Sequence, residues 1–227
     1  MSTAATTEPL VRVRNLSKRY GSLVALSGAT FSIHRAELLG LIGPNGSGKT
    51  TLLECLGGVL PPDAGTIEFA AGLPRPAMFF LPDGIAPWAE QPVSWALDFT
   101  AGYFEGRSAL RQEVIDRLAL KPFLSNRIGT LSKGQRKRAL LACGLLTPHP
   151  VLLADEPFDG LDLRQTREVS AYLREVAGSG RTLLLSIHQI SEASRVCDRF
   201  VLLSGGEVRA EGHIAPEKLE EVFLALT

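Results

Sequence analysis

The segment that decides the fold is Gly43-Pro44-Asn45-Gly46-Ser47-Gly48-Lys49-Thr50. It matches the pattern G-x-x-x-x-G-K-[ST], in which backbone N–H groups surround a polyphosphate. The apolar stretch Leu38 to Ile42 precedes it, and apolar residues recur at helical spacing from Thr50 to Leu60. A strand, this loop and a helix in that order form the context that the pattern requires. The sequence therefore predicts a site for a nucleoside triphosphate.

Different side chains of this loop are expected to have different roles. We expect Lys49 to reach the β- and γ-phosphates and to assist catalysis, and the Thr50 hydroxyl to bind Mg²⁺. The helix N-terminus adds about half a positive charge. A glycine-rich turn with a chance Lys-Thr pair is the alternative, and the flanking strand and helix disfavour it. The predicted nucleotide-binding residues here are Gly43, Pro44, Asn45, Gly46, Ser47, Gly48, Lys49, Thr50 and Thr51.

A pair of carboxylates follows a second apolar stretch. Asp155 and Glu156 come directly after Val151 to Ala154 and before Pro157. Ligands of parallel sheets bind at the carboxyl ends of strands. We expect Asp155 to hold Mg²⁺ and Glu156 to take a proton from the attacking water, a contribution of about 10²–10⁴-fold in rate. The alternative is a pair of solvated acids before a proline turn, which the neighbouring phosphate loop makes less favourable.

The order of apolar patterns predicts an α/β fold with an inserted helical lobe. Val151 to Ala154 and Thr182 to Ile187 are continuous apolar runs of the kind buried in parallel sheets. We predict one domain over residues 1–227. Its nucleotide-binding core comprises 1–82 and 148–227, and its helical lobe comprises 83–147.

Composition narrows the choice of partners. The chain has 227 residues, 45% hydrophobic and 21% charged, and its formal net charge is zero. This balance disfavours a general electrostatic grip on nucleic acid or on an anionic membrane. Cys55, Cys143 and Cys197 are far apart, which favours reduced, buried thiols over a metal site or a disulfide framework.

No segment is expected to cross a membrane or to direct secretion. Met1 to Pro9 lacks the basic start and apolar run of a signal peptide. The longest apolar stretch, Ala139 to Ala154, is interrupted by two prolines, whereas a spanning helix needs about 20 apolar residues. Any work at a membrane would need a second chain to provide the passage.

A third motif, Leu131-Ser132-Lys133-Gly134-Gln135, opens an apparent helix from Arg136 to Leu146. With the two earlier motifs it resembles the ATP-binding cassette ATPases, whose signature is usually LSGGQ, and the resemblance covers nearly the whole chain. It implies a P-loop NTPase with a RecA-like core sheet and flanking helices, and with an N-terminal antiparallel β part. It also implies an ATP-hydrolysing subunit with ATP and Mg²⁺ as cofactors.

Other positions match the family in order. Tyr20 is similar to the aromatic residue that stacks on adenine, and Gly160-Leu161-Asp162 resembles the D-loop, with Asp162 approaching the opposite subunit. His188 resembles the switch histidine that contacts the γ-phosphate, which would make it catalytic.

The resemblance implies two kinds of protein partner. In the family, the signature residues cap the nucleotide of a second cassette, identical or different, so that two ATP molecules lie between head-to-tail copies. A separate transmembrane permease subunit carries the substrate, and the cassette lies at the cytoplasmic face of the membrane as a peripheral subunit. No nucleic-acid partner is implied.

Two positions depart from the family pattern. Lys133 replaces a glycine, and LSKGQ resembles variants of small two-component exporters, which favours export. Asp83 stands where glutamine is usual. It is expected to touch Mg²⁺ or its water, but a carboxylate does not donate as an amide does unless it is protonated. Trp88 and Trp95 are expected either to line a groove for a membrane partner or to fill the core of the lobe.

Two other functions are compatible with a cassette. One is a soluble ATPase that acts on DNA or ribosomes, which the neutral charge disfavours. The other is a regulatory module that binds nucleotide without hydrolysis, which the presence of Glu156 and His188 disfavours.

Overall fold

The computed structural model describes residues 8–188 and 190–213. Residues 1–7, 189 and 214–227, which belong to the predicted single domain, lie outside the described residues. The strands in chain order are β1 (Val11–Tyr20), β2 (Leu23–Ile33), β3 (Leu38–Ile42), β4 (Ala64–Phe69), β5 (Met78–Leu81), β6 (Val151–Ala154), β7 (Thr182–Ile187), β8 (Arg199–Ser204) and β9 (Glu207–His213). The α-helices are α1 (Lys49–Leu56), α2 (Val93–Tyr103), α3 (Ser108–Arg117), α4 (Lys133–Leu146), α5 (Leu163–Gly178) and α6 (Ile190–Val196).

The larger sheet has the order β5-β6-β7-β3-β8-β9, in which β9 is antiparallel to its neighbour and the other pairs are parallel. β3 lies centrally, beside β7 and β8. Every residue of β3, β6 and β7 is buried, because helices or the second sheet cover both faces. The predicted α/β fold is confirmed.

Alternate residues of the central strands face two apolar layers. Leu38 and Ile42 of β3 pack into the layer that also holds the lobe helices, α5 and α6. Leu39 and Leu41 face the opposite way, toward α1 and the antiparallel strands. Burying one leucine side chain stabilises the fold by about 1.5–3 kcal/mol, so these layers fix where the carboxyl end of β3 lies.

The smaller sheet is antiparallel and has the order β2-β1-β4. The apolar pattern of Val11 to Leu16 predicts a strand over those residues, but β1 continues to Tyr20. Register shifts in its pairing with β2 interrupt the alternation of buried residues while the strand continues. This extension brings Tyr20 to the edge of the phosphate loop.

The helical lobe contains α2, α3 and α4, which pack on one another. α4 begins at Lys133, three residues before the predicted start, because Ser132 and Gln135 form a reciprocal capping box. α1 ends at Leu56, four residues earlier than predicted, before the pair Gly57-Gly58.

The three cysteines are buried and unbonded, as expected. Burial raises the pKa of the Cys55 and Cys143 thiols to about 11 and that of Cys197 to about 12, so they remain protonated at neutral pH. Among the helices described, none combines the length and the apolar character needed to cross a bilayer.

Candidate functional site

A cavity of about 650 Å³ opens where the carboxyl ends of β3, β6 and β7 meet. Its floor is the phosphate loop and the first turn of α1, and β2 and the end of β1 form one wall. The lining residues are Tyr20, Leu23, Val24, Ala25, Asn45, Gly46, Gly48, Lys49, Thr50, Thr51, Glu156, Asp159 and His188. The volume and the polar groups among the lining residues suit a small polar ligand.

The loop's conformation depends on Gly48. Its φ is +103°, in the left-handed region, and a Cβ atom there would lie 2.4 Å from the backbone oxygen of Ala25. A larger residue would therefore be strained and would clash with β2. Gly48 lets the loop turn directly into α1, so that the helix N-terminus points into the cavity.

Lys49 is buried at the base of the loop. Its Nζ donates to the backbone oxygens of Gly43 at 2.8 Å and Pro44 at 3.0 Å. Burial lowers the pKa of Lys49, and the nearby carboxylates of Glu156 and Asp155 oppose that change. The loop thus holds the ammonium group on its own carbonyl oxygens, which phosphate oxygens can replace.

Asp155 is buried and both of its carboxylate oxygens accept hydrogen bonds. Thr50 Oγ1 donates to Oδ2 at 2.8 Å, and the Ser186 hydroxyl donates to Oδ1. Thr50 and Asp155 are 105 positions apart in sequence and were both predicted as metal ligands. Ser186 was not predicted, although it is the polar residue inside the apolar run of β7.

Glu156 has a left-handed backbone, with φ at +49°. Its N–H donates to Ser186 Oγ at 2.8 Å, and its carboxylate pairs with His188 Nε2. Left-handed backbone costs a non-glycine residue roughly 1–2 kcal/mol. The structure therefore brings together Glu156 and His188, two of the three predicted catalytic residues, at the cavity's edge.

Two lysines of α4 reach carboxylates beside Glu156. Lys133 pairs with Asp159, and Lys137 Nζ lies 2.7 Å from Asp83 Oδ1. The carboxylates of Asp83, Glu156 and Asp159 lie within 4.8 Å of one another. Lys137, Lys133 and His188 thus give each of them a basic partner. Neither Lys137 nor Asp159 was predicted, because the sequence pattern does not show which charges meet.

The wall beside the phosphate loop is apolar and exposed. Tyr20 ends β1, and Leu23 and Val24 begin β2 beside it. An aromatic ring with aliphatic neighbours offers a flat surface on which a base can stack. Leu23 and Val24 were missed because isolated exposed aliphatic residues carry no signal in a sequence.

Several predicted residues do not line this cavity. Gly43, Pro44 and Ser47 of the phosphate loop do not border it, and neither do Leu131 to Gln135. Asp162 caps the N-terminus of α5, where its Oδ1 accepts from the N–H of Gln165 at 2.8 Å. In one copy of the chain, the signature segment and Asp162 are therefore separate from the phosphate loop.

Residues 26–159 match the family model described as ABC transporter. This chain belongs to the ABC transporter family. The match includes the phosphate loop, the lobe, the signature segment and both carboxylates. As an ABC transporter ATP-binding subunit, the chain has ATP hydrolysis as its activity.

Relatives of this ABC transporter subunit support the same assignment. It is 35% identical to the Nod factor export ATP-binding protein I of Burkholderia orbicola, over 92% of this chain and 71% of that protein. It is 32% identical to a hemin import ATP-binding protein of Bradyrhizobium diazoefficiens, over 94% of this chain and 88% of that protein. A solved ATP-binding subunit of an ABC transporter matches with a TM-score of 0.84 and 27% identity, over 96% of this chain and 99% of that one.

The signature of this ABC transporter subunit packs against the turn before α5. A Cβ atom on Gly134 would lie 2.3 Å from the backbone oxygen of Gly160. We expect Gly134→Ala to lower the free energy of unfolding by about 1–3 kcal/mol, because the backbone must shift to admit the methyl group. Urea unfolding monitored by circular dichroism measures the change.

A matched control lies in α2. A Cβ atom on Gly102 would meet no atom within 4 Å. Gly102→Ala should leave the stability unchanged or raise it by up to about 1 kcal/mol, since alanine favours helix more than glycine. Equal destabilisation by the two variants would contradict the packing argument.

Proposed function

We propose that two copies of this subunit, or one copy and a related cassette, hydrolyse ATP at composite sites and thereby drive export through a separate transmembrane subunit. This proposal is supported by the separation, within one copy of the chain, of the signature segment from the phosphate loop. The signature segment lies outside its own chain's cavity and presents the exposed Ser132 at the N-terminus of α4, where a second copy's nucleotide would bind.

The phosphate loop and α1 supply the first half of each composite site. Lys49 exchanges its contacts with Gly43 and Pro44 for phosphate oxygens, and the N–H groups that begin α1 favour negative charge. Tyr20 provides the stacking surface for the base. These groups orient the triphosphate with its terminal phosphate toward Glu156.

The residues present fit a bound Mg²⁺ ion. Thr50 and Asp155 place a hydroxyl and a carboxylate oxygen 2.8 Å apart, and oxygen ligands are those that Mg²⁺ prefers. When bound, the ion would neutralise charge on the β- and γ-phosphate oxygens. Ser186 holds the second oxygen of Asp155 and so fixes the direction of the first. We also keep Asp83 as a predicted ligand, directly or through water.

Glu156 acts as the general base. Its carboxylate borders the cavity and accepts a proton from the attacking water, while His188 holds the carboxylate in place and contacts the terminal phosphate. The left-handed turn at Glu156 directs the side chain toward the cavity rather than along β6.

The signature helix supplies the second half of a composite site. The first N–H groups of an α-helix have no partner within the helix, and Ser132 satisfies that of Gln135. Ser132 is exposed at the surface, so its hydroxyl and the N-terminal end of α4 can bind the γ-phosphate held by the other copy. Asp162 approaches the same interface.

An exposed aromatic stripe on the lobe is the docking surface for the transmembrane subunit. Trp88, Trp95, Phe99 and Tyr103 are 42%, 37%, 47% and 73% exposed. Neighbouring ring centroids lie 5.1–6.3 Å apart. The rings thus pack on one another and also face outward, and this stripe fits an apolar helix of the membrane partner.

We expect the double variant Trp95→Ser/Phe99→Ser to lose co-purification with the transmembrane subunit from detergent extracts. The ATPase rate of the isolated chain should stay within about twofold, because neither ring lines the ATP cavity. Val59→Ser removes an exposed aliphatic residue elsewhere and serves as control. Retained co-purification in the aromatic variant would place the docking surface elsewhere.

The direction of transport is tested by comparing cells that carry the wild-type chain or Lys49→Ala. Export predicts that at least one small molecule or lipid leaves the cells only when the wild-type chain is present. A compound that instead disappears from the medium only with the wild-type chain would show import and contradict this part of the proposal.

A further inference from the structure

The side chain of Lys137, in α4, contacts the loops that follow β5 and β6 through its ammonium group. It lies in α4, four residues after Lys133 and on the same side of the helix. Its side chain is only 10% exposed. Its Nζ donates to the backbone oxygen of Asp155 at 2.8 Å and lies 2.7 Å from Oδ1 of Asp83. The contacts connect the signature helix to the loops that follow β5 and β6.

The carbonyl oxygen of Asp155 and the N–H of Glu156 belong to one peptide group. That group links the proposed magnesium ligand to the proposed base. Lys137 binds its oxygen, and Ser186 Oγ accepts a hydrogen bond from its nitrogen at 2.8 Å. Side chains from α4 and β7 therefore hold both polar ends of the same peptide group.

This peptide group needs such support because the next torsion is strained. The φ angle of Glu156 is +49°, a conformation that non-glycine residues keep only when the surroundings over-determine it. If one end of the peptide group is released, the turn can relax toward an ordinary backbone. The carboxylate of Glu156 would then move away from the attacking water, and misplacement of a reacting group by about 1 Å can cost on the order of 10²-fold in rate.

We infer that Lys137 is a positioning residue for ATP hydrolysis, which holds the Asp155–Glu156 peptide group, and that Asp83 is the counterion that orients it. The inference rests on the proposed roles of Asp155 and Glu156. As the counterion of Lys137, Asp83 has a role that does not require contact with a metal ion.

The charges around Asp83 are consistent with its role as the counterion of Lys137. Burial acts to raise the pKa of Asp83, but the hydrogen bond and charge of Lys137 outweigh it, so the pKa lies below its ordinary value. With its Oδ1 2.7 Å from Nζ, Asp83 lies where it balances the charge of the mostly buried ammonium group.

Lys137→Met keeps the aliphatic stem and removes the ammonium group. We expect its kcat to fall about tenfold to thirtyfold, because the Glu156 turn loses one of its two holds. The KM for ATP should change by less than about threefold, since the phosphate loop is untouched. Lys137→Arg retains donors for both acceptors and should recover kcat to within about fivefold of the wild type.

The matched control is Lys121→Met, the same change at an exposed lysine of the lobe, which should leave kcat and KM unchanged. Thermal unfolding of each variant establishes that it is folded at the assay temperature. If Lys137→Met is unfolded there, Asp83→Asn carries the test: it should lower kcat several-fold with an unchanged KM.

The inference is overturned if kcat of folded Lys137→Met equals that of Lys121→Met, if KM rises as much as kcat falls, or if Lys137→Arg is no better than Lys137→Met. In the Asp83→Asn arm, an unchanged kcat overturns it. Failure of the proposed function has a different signature: the wild-type chain itself would then release phosphate no faster than Glu156→Gln.

Discussion

Replacing Glu156 with glutamine should lower the kcat of ATP hydrolysis by about a hundredfold or more, because a positioned general base contributes roughly 10²–10⁴-fold. Glutamine has nearly the same shape but does not accept a proton from water. Lys49, Thr50 and Tyr20 are unchanged, so the affinity for ATP should remain within a few-fold of the wild type. Phosphate release and the binding of a fluorescent ATP analogue measure the two quantities separately.

Under the proposed function, the same variant should also accumulate as a pair in the presence of ATP and Mg²⁺, because ATP would join the two copies and hydrolysis would no longer separate them. Size-exclusion chromatography with and without nucleotide detects the change. Glu105→Gln, the same substitution at an exposed position of the lobe, is the control and should behave as the wild type. A Glu156→Gln variant with wild-type kcat would assign the base elsewhere.

The parts of the site that the sequence predicted are those in which neighbouring residues act together. The phosphate loop is a continuous segment, and Asp155 and Glu156 end an apolar strand whose pattern is unmistakable. Since β3, β6 and β7 are parallel neighbours, their carboxyl ends meet, and this geometry alone brings Thr50 to within 2.8 Å of Asp155. Local patterns together with the rules of parallel sheets were sufficient here.

The parts that were missed depend on contacts between distant segments. Lys137 and Asp83 are 54 positions apart, and no periodicity indicates that they pair. Ser186 interrupts an apolar run, where a single polar residue is easily taken for a satisfied core hydroxyl. Lys137 and Ser186 contact backbone groups or other side chains, so no ligand-binding motif contains them.

Local packing also decided the boundaries that the apolar pattern misplaced. β1 continues through its register shifts because the strand pairs on both sides, with β2 and β4. α4 starts early because its capping box satisfies the first N–H groups. The longer β1 includes Tyr20, which lines the cavity, and the longer α4 includes Lys133, which pairs with Asp159.

A mixture of two inactive variants should recover activity if the ATP sites are composite. Lys49→Ala destroys the phosphate loop, and Ser132→Arg blocks the signature with a bulky side chain, so each variant alone should lose at least about 99% of kcat. In a mixed pair, the intact loop of one copy meets the intact signature of the other. Random pairing at equal concentrations should then restore roughly a quarter of the wild-type rate, because half of the pairs are mixed and each has one intact site.

This recovery separates a composite site from one that is complete within a single chain. If Ser132 acted on the nucleotide of its own chain, a mixed pair would contain no intact site, and the rate of the mixture would equal the mean of the two variants. Affinity tags of two kinds, one on each variant, show whether mixed pairs form. As a control, Lys49→Ala mixed with Glu156→Gln should recover no activity. Both residues belong to the same half of the site, so each of the two ATP sites in a mixed pair lacks either Lys49 or Glu156. The exposed position of Ser132, outside its own cavity, is the reason to expect recovery in the first mixture. Lys49 and Glu156 line the same cavity, which is the reason to expect none in the second.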